Sequence, residues 1–162
     1  MQNSKLLEEL YLSVDSRRIL VGSIHDTISP SARTLKVLDL ILHLYSLGSV
    51  CLPLAGLCEE SEAMAGHYML EALSVEVITN GSHYTEDSIG FILQDIEKVL
   101  VKPRWSTLRC VSFKIQLIPG RNLCDSEALQ SLPDKYLSQI SKLESVAFNY
   151  SAYEVEFESV SG

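Results

Sequence analysis

The side chains best suited to chemistry are four cysteines (Cys51, Cys58, Cys110, Cys124) and four histidines (His25, His43, His67, His83). Zinc sites in small domains use paired cysteines two to four residues apart, each pair closing a short loop on the metal. Here no Cys-x-x-Cys occurs, and Cys51 and Cys58 stand seven residues apart. The thiols therefore read as small apolar core residues. The histidines never fall at i, i+4, so they make no helical metal face. A cysteine–histidine nucleophile pair would have to be assembled in space. Glu59-Glu60-Ser61-Glu62 reads as a solvated helix end, because a metal site needs converging ligands. No Gly-x-Ser-x-Gly elbow, phosphate-binding loop, dinucleotide fingerprint or His-Glu-x-x-His helix is present. Asn80-Gly81-Ser82 and Asn149-Tyr150-Ser151 fit the glycosylation acceptor pattern, but with no secretory leader they read as chance matches. The expectation is a non-enzymatic protein with no catalytic centre, no cofactor and no metal.

What, then, is the rest of the chain built to hold? Its 162 residues, 46% apolar and 21% charged, predict a single globular domain over 1–162. A net charge of -8 with no basic cluster argues against a nucleic-acid partner. The longest apolar stretch, 35–57, is interrupted by Lys36, Asp39 and His43 and broken by Gly48 and Pro53, which argues against a membrane span. The expected location is the cytoplasm or nucleus, with the thiols reduced.

A six-residue pattern returns along the chain: Leu, two residues, a large apolar residue, one residue, another apolar residue. It reads Leu35-Lys36-Val37-Leu38-Asp39-Leu40, Leu70-Glu71-Ala72-Leu73-Ser74-Val75, Leu108-Arg109-Cys110-Val111-Ser112-Phe113 and Leu143-Glu144-Ser145-Val146-Ala147-Phe148. Leu7-Glu8-Glu9-Leu10-Tyr11-Leu12 is an N-terminal copy. The starts are 28, 35, 38 and 35 residues apart, which marks a repeat architecture. Strands are predicted over 7–14, 35–44, 69–79, 108–118 and 143–157, the last either one long strand or two joined by a bend near Ser151, where apolar and polar residues alternate. Residues 47–52 fit the pattern too, and read either as a turn or as an extra short strand. Helices are predicted from 15 or 16 to 28, over 53–65 and from about 86 to 101. A further one starts near Ser126, is interrupted at Pro133 and restarts there in a second turn through Ile140. The cleanest places Ile89, Ile92, Leu93, Ile96, Val99 and Leu100 on one side. Strands alternating with helices imply parallel pairing through right-handed crossovers. The expected fold class is α/β: a right-handed β-α solenoid of about five parallel strands with helices on the convex side. A doubly wound sheet is the alternative.

The Leu-x-x-Leu-x-Leu strands joined by helices resemble leucine-rich repeats. Pro53-Leu54-Ala55-Gly56-Leu57-Cys58-Glu59-Glu60, and Lys102-Pro103-Arg104-Trp105-Ser106-Thr107 leading into the Leu108 strand, more narrowly resemble the C-terminal part of fungal (mushroom-type) F-box proteins. That resemblance covers most of the chain. It implies a substrate-recognition module, here with no F-box before residue 7. His43, Ile78, Gln116 and Ser151 stand where standard leucine-rich repeats carry a ladder asparagine.

If the pattern residues face the core, the residues between them face the other side of the sheet. One predicted column is Tyr11, Asp39, Ser74, Ser112 and Ala147. The next is Ser13, Ile41, Glu76, Lys114 and Asn149, and a third is His43, Ile78, Gln116 and Ser151. The candidate protein-binding residues are Tyr11, Asp39, Ile41, His43, Ser74, Glu76, Ile78, Ser112, Lys114 and Asn149, with an unidentified protein as partner. Trp105 is expected to fill the gap between helix and sheet. A second reading is a truncated or fragmentary repeat protein, with self-association through an uncapped N-terminal edge. A third is a small α/β enzyme.

Overall fold

A computed structural model describes residues 7–15, 23–44, 52–66, 69–79, 85–118 and 126–155. Among them are strands β1 (Glu9–Asp15), β2 (Val37–Leu44), β3 (Ala72–Thr79), β4 (Cys110–Leu117) and β5 (Ala147–Glu154). The helices are α1 (Ser23–Ile28), α2 (Leu52–Met64), α3 (Glu86–Leu100), α4 (Ser126–Gln130) and α5 (Leu132–Tyr136). Short 3-10 turns cover Ser29–Ser31, Pro103–Trp105 and Ile140–Lys142.

The chain is an α/β protein whose five described strands form one sheet in the order β1-β2-β3-β4-β5, every pair parallel. Strands that follow one another in sequence are neighbours in the sheet. A doubly wound sheet would shuffle that order.

The period-two alternation sorts the strand residues onto two faces. Leu38, Leu40 and Leu42 of β2, Leu73, Val75 and Val77 of β3, and Val111, Phe113, Ile115 and Leu117 of β4 are all buried. They share one apolar cluster with Ile24 and Ile28 of α1, Met64 of α2, Ile89, Leu93, Ile96 and Leu100 of α3, Leu129 of α4 and Leu132 of α5. Each fully buried side chain of this size contributes roughly 1.5–3 kcal/mol relative to exposure, so this face carries the fold. Trp105 lies in the same cluster, as expected for a residue between helix and sheet.

Strands β2, β3 and β4 begin two residues after the leucine that opens the pattern, and each is entered by two N–H groups, of the residue before the strand and of its first residue, that share one carbonyl of the preceding unit. The N–H groups of Lys36 and Val37 both donate to Glu8 O, those of Glu71 and Ala72 to Lys36 O, and those of Arg109 and Cys110 to Glu71 O. The leucines leading units two to four, Leu35, Leu70 and Leu108, are buried alongside. One residue earlier, Thr34 Oγ1 donates to Leu7 O and Thr107 Oγ1 to Leu70 O, each at 2.8 Å. Helix α2 carries Pro53 in its first turn, where a missing N–H costs nothing. It is followed by Gly66 at φ +79°, the left-handed position that favours glycine after a helix.

The last unit departs from the pattern. Phe148, not Val146, stands opposite Val111, and Tyr150 opposite Phe113. The 3-10 turn Ile140–Lys142 and a further turn, closed by Val146 N–H donating to Leu143 O at 3.2 Å, insert two residues before the strand. The expected pairing of Ala147 with Ser112 is therefore replaced by Asn149 with Ser112. Helix 126–140 is likewise two short helices. Pro133 lies in the first turn of α5 and restarts the helix there, as the sequence predicts, but α5 ends at Tyr136, short of the expected Ile140. The segment 47–51, the first part of the first helix and the Asn80-Gly81 turn lie outside the described residues. No described helix is long and apolar enough to cross a membrane.

Candidate protein-binding face

The helices cover one face of the sheet. The other presents four rows of side chains fixed by the strand register. The first is Glu9, Val37, Ala72, Cys110 and Ala147; the second is Tyr11, Asp39, Ser74, Ser112 and Asn149. The third row is Ser13, Ile41, Glu76, Lys114 and Ser151. The fourth runs through His43, Ile78 and Gln116 to Tyr153. Adjacent strands lie about 4.8 Å apart, so this open face is about 20 Å wide. All ten sequence-predicted residues are on it. The two-residue slip in β5 moves Asn149 from the third row to the second and Ser151 from the fourth to the third. It also brings in Tyr153, which sequence reasoning missed. Extending the alternation from Asn149 and Ser151 by one step points to it.

The polar residues of the open face are knitted together on its β3–β5 half. Lys114 Nζ donates to Glu76 Oε1 at 2.8 Å and lies 5.4 Å from the centroid of the Tyr153 ring. Tyr153 Oη approaches Gln116 Oε1 at 3.5 Å. The hydrogen bond to Glu76, reinforced by Tyr153, raises the Lys114 pKa above its ordinary value. Near the C-terminal ends of β1 and β2, Ser13 Oγ and His43 Nε2 are 3.1 Å apart. A hydroxyl and an imidazole in reach are two parts of a nucleophilic site. Ile41 and Ile78 are half-buried among these polar groups. Tyr11 is 68% exposed.

Cys110 is half-buried on the open face, where Asn149 Nδ2 approaches its Sγ at 3.8 Å. Cys58 is half-buried on α2. Burial raises its thiol pKa, and the carboxylates of Asp95 and Glu62 add to the shift. Both cysteines are free, and they are half-buried where full burial was expected, with Cys58 packed against the core cluster; Cys51 and Cys124 lie outside the described residues. Among the described residues no group of three or more His, Cys, Asp or Glu side chains converges to hold a metal.

The acidic run is only partly the solvated helix end expected of it. Glu59 and Glu62 are exposed, and Glu62 pairs with Lys102. Glu60 and Ser61 are buried. Glu60 accepts the N–H of His25 at 2.8 Å and of Ile24 at 3.4 Å, capping the start of α1. Glu97 on α3 is also buried, and its Oε1 accepts the N–H groups of Gln139 and Ile140 at 2.7 and 2.9 Å. The two carboxylates satisfy amides at helix starts that would otherwise lack partners. Glu97 thereby fixes the turn from which β5, and with it Tyr153, departs.

Compared with protein-family models, curated proteins and solved structures, the chain matches none.

Proposed function

We propose that this chain is a non-enzymatic, leucine-rich-repeat-like protein-interaction module that binds a protein partner through the open face of its sheet. The reading takes the units as a right-handed β-α solenoid, resembling the substrate-recognition repeats of fungal F-box proteins. The observation that carries it is the segregation of the two faces. Helices cover one side of a sequentially ordered parallel sheet, and the other side is left with half-buried Ile41 and Ile78 among ordered polar groups. A sheet face of a stacked-repeat protein left open by its helices is a natural binding surface. The paired strand-entry bonds repeated at Glu8, Lys36 and Glu71 support equivalence of the units.

The test is affinity capture with the wild type and with Ser74→Tyr plus Ser112→Tyr. These changes add neutral bulk at the centre of the face in a residue that suits strands. Charge reversal at Glu76 is a poorer choice because it strands Lys114. Partners held by the wild type and by a helix-face control, Lys98→Glu, are expected to be lost from the double variant. Retention of the same partners by the double variant rules the reading out.

A second reading, self-association at the β1 edge, is favoured by Leu7, which is 40% exposed, and by Leu10 and Leu12, which are only partly buried. Sedimentation of the purified chain over a concentration series decides it: a monomer throughout refutes it.

A further inference from the structure

The two halves of the open face differ in how their charges are met. On β3–β5 the cation is internal. Lys114 lies on β4 with the Glu76 carboxylate on one neighbouring strand and the Tyr153 ring on the other. On β1 and β2 the same partner types recur, and among the described residues no lysine or arginine stands beside them in the strand register. Tyr11 stands opposite Asp39 in the strand register, and its ring is the most exposed large apolar group among the described residues. The alternating positions 9, 11, 13 and 15 of β1 and 37, 39, 41 and 43 of β2 contain no lysine or arginine. Lys36, just before β2, is engaged with Glu8 at 3.3 Å. Glu9 adds a further negative charge one row from Tyr11, and the whole chain carries -8. Val37 and Ile41 flank Asp39 in the adjoining rows, giving apolar surface for an aliphatic stem.

The geometry points to the β1–β2 half of the open face as the seat of an extended, arginine-bearing segment of a protein partner, its guanidinium held between the Asp39 carboxylate and the Tyr11 ring. This rests on the open-face reading and names the chemistry of its partner. Arginine fits better than lysine because its planar head both forks onto a carboxylate and stacks on an aromatic face. Charge complementarity speeds encounter and makes binding fall with salt.

The test uses the full chain and a short labelled peptide in which arginine alternates with serine, beside the same peptide with neutral citrulline for arginine. Backbone amide shifts and fluorescence anisotropy are read at low and physiological salt. The arginine peptide is expected to bind, to move amides of β1 and β2, and to weaken as salt rises. The citrulline peptide is expected to bind about tenfold or more weakly, having lost both the ion pair and the cation–π contact. Asp39→Asn and Tyr11→Leu are each expected to weaken the arginine peptide by roughly two- to fivefold, the size of one exposed ionic or cation–π contact. Tyr11→Phe keeps the ring and is expected to leave binding unchanged. Asp39→Asn is nearly isosteric, so its result stands even if a Tyr11 variant folds poorly. Equal binding of the two peptides, shifts confined to the helices, or an Asp39→Asn variant that binds as wild type overturns the proposal. A protein partner lost on Ser74→Tyr plus Ser112→Tyr, yet held equally by Asp39→Asn, overturns it while leaving the open-face reading standing. A partner indifferent to both changes overturns both.

Discussion

Replacing Glu97 with alanine removes one carboxylate oxygen that two backbone N–H groups share. Glu97 is only 2% exposed, and the amides of Gln139 and Ile140 donate to it at 2.7 and 2.9 Å. An unsatisfied buried amide costs about 1–3 kcal/mol, and the Ile140 bond is the more buried of the two. Glu97→Ala should therefore destabilise the fold by about 2–5 kcal/mol, a large part of the roughly 5–15 kcal/mol typical of a domain. Glu97→Gln keeps an acceptor oxygen but loses the charge. Neutral hydrogen bonds are about half as strong, so its cost should be about half that of alanine. Glu60→Ala should cost less than Glu97→Ala, because one of its two bonds is long at 3.4 Å. Urea unfolding of the variants gives the magnitudes. Hydrogen exchange of the Gln139 and Ile140 amides shows where the loss is felt, with faster exchange expected there and along β5. A Glu97→Ala variant within about 0.5 kcal/mol of wild type, the range of an ordinary surface change, would refute the reasoning. So would a glutamine variant as damaged as the alanine one.

Two further outcomes follow from the geometry. A Cβ at Gly90 would stand 2.3 Å from the Tyr136 ring, which donates its hydroxyl to Asp87 at 2.9 Å and packs edge-on against Phe91. Gly90→Ala should lower the thermal midpoint although glycine to alanine inside a helix ordinarily gains about 1 kcal/mol, and in a Tyr136→Ala background the same change should raise it. A fall in both backgrounds would place the strain elsewhere. The raised Lys114 pKa makes its contribution to stability fully present below the ordinary lysine value and lost as pH climbs through the folded one. A side-chain NMR titration should show Lys114 deprotonating at a lower pH in Glu76→Gln than in wild type, and an unchanged midpoint would remove Glu76 as the main cause.

The parts of this fold legible in sequence are those set by local periodicity. Alternation in Leu73 to Thr79 and Cys110 to Leu117 reports which face is buried, because a strand residue's side is fixed by parity. The helical spacing of Ile89 to Leu100 does the same for α3. The register of β5 was not legible: Val146 and Phe148 fit the pattern as well as Phe148 and Tyr150 do, and the two-residue turn that decides between them is a tertiary matter. Tyr153 was missed with it. Glu60 and Glu97 were also hidden, since a buried carboxylate is explained only by amides 35 to 43 residues away in the chain. The open face itself followed from parity alone, whereas the Lys114–Glu76–Tyr153 contact needed the register.

The central claim is that partners meet the sheet and not the helices. The most direct measurement places a photo-crosslinking amino acid singly at Ser74, at Ser112 and, on the helix face, at Lys98. It then identifies by mass spectrometry what each position captures from the native source. The account predicts one shared protein adduct at Ser74 and Ser112 that is absent from Lys98. An adduct formed at Lys98 but at neither serine would contradict it.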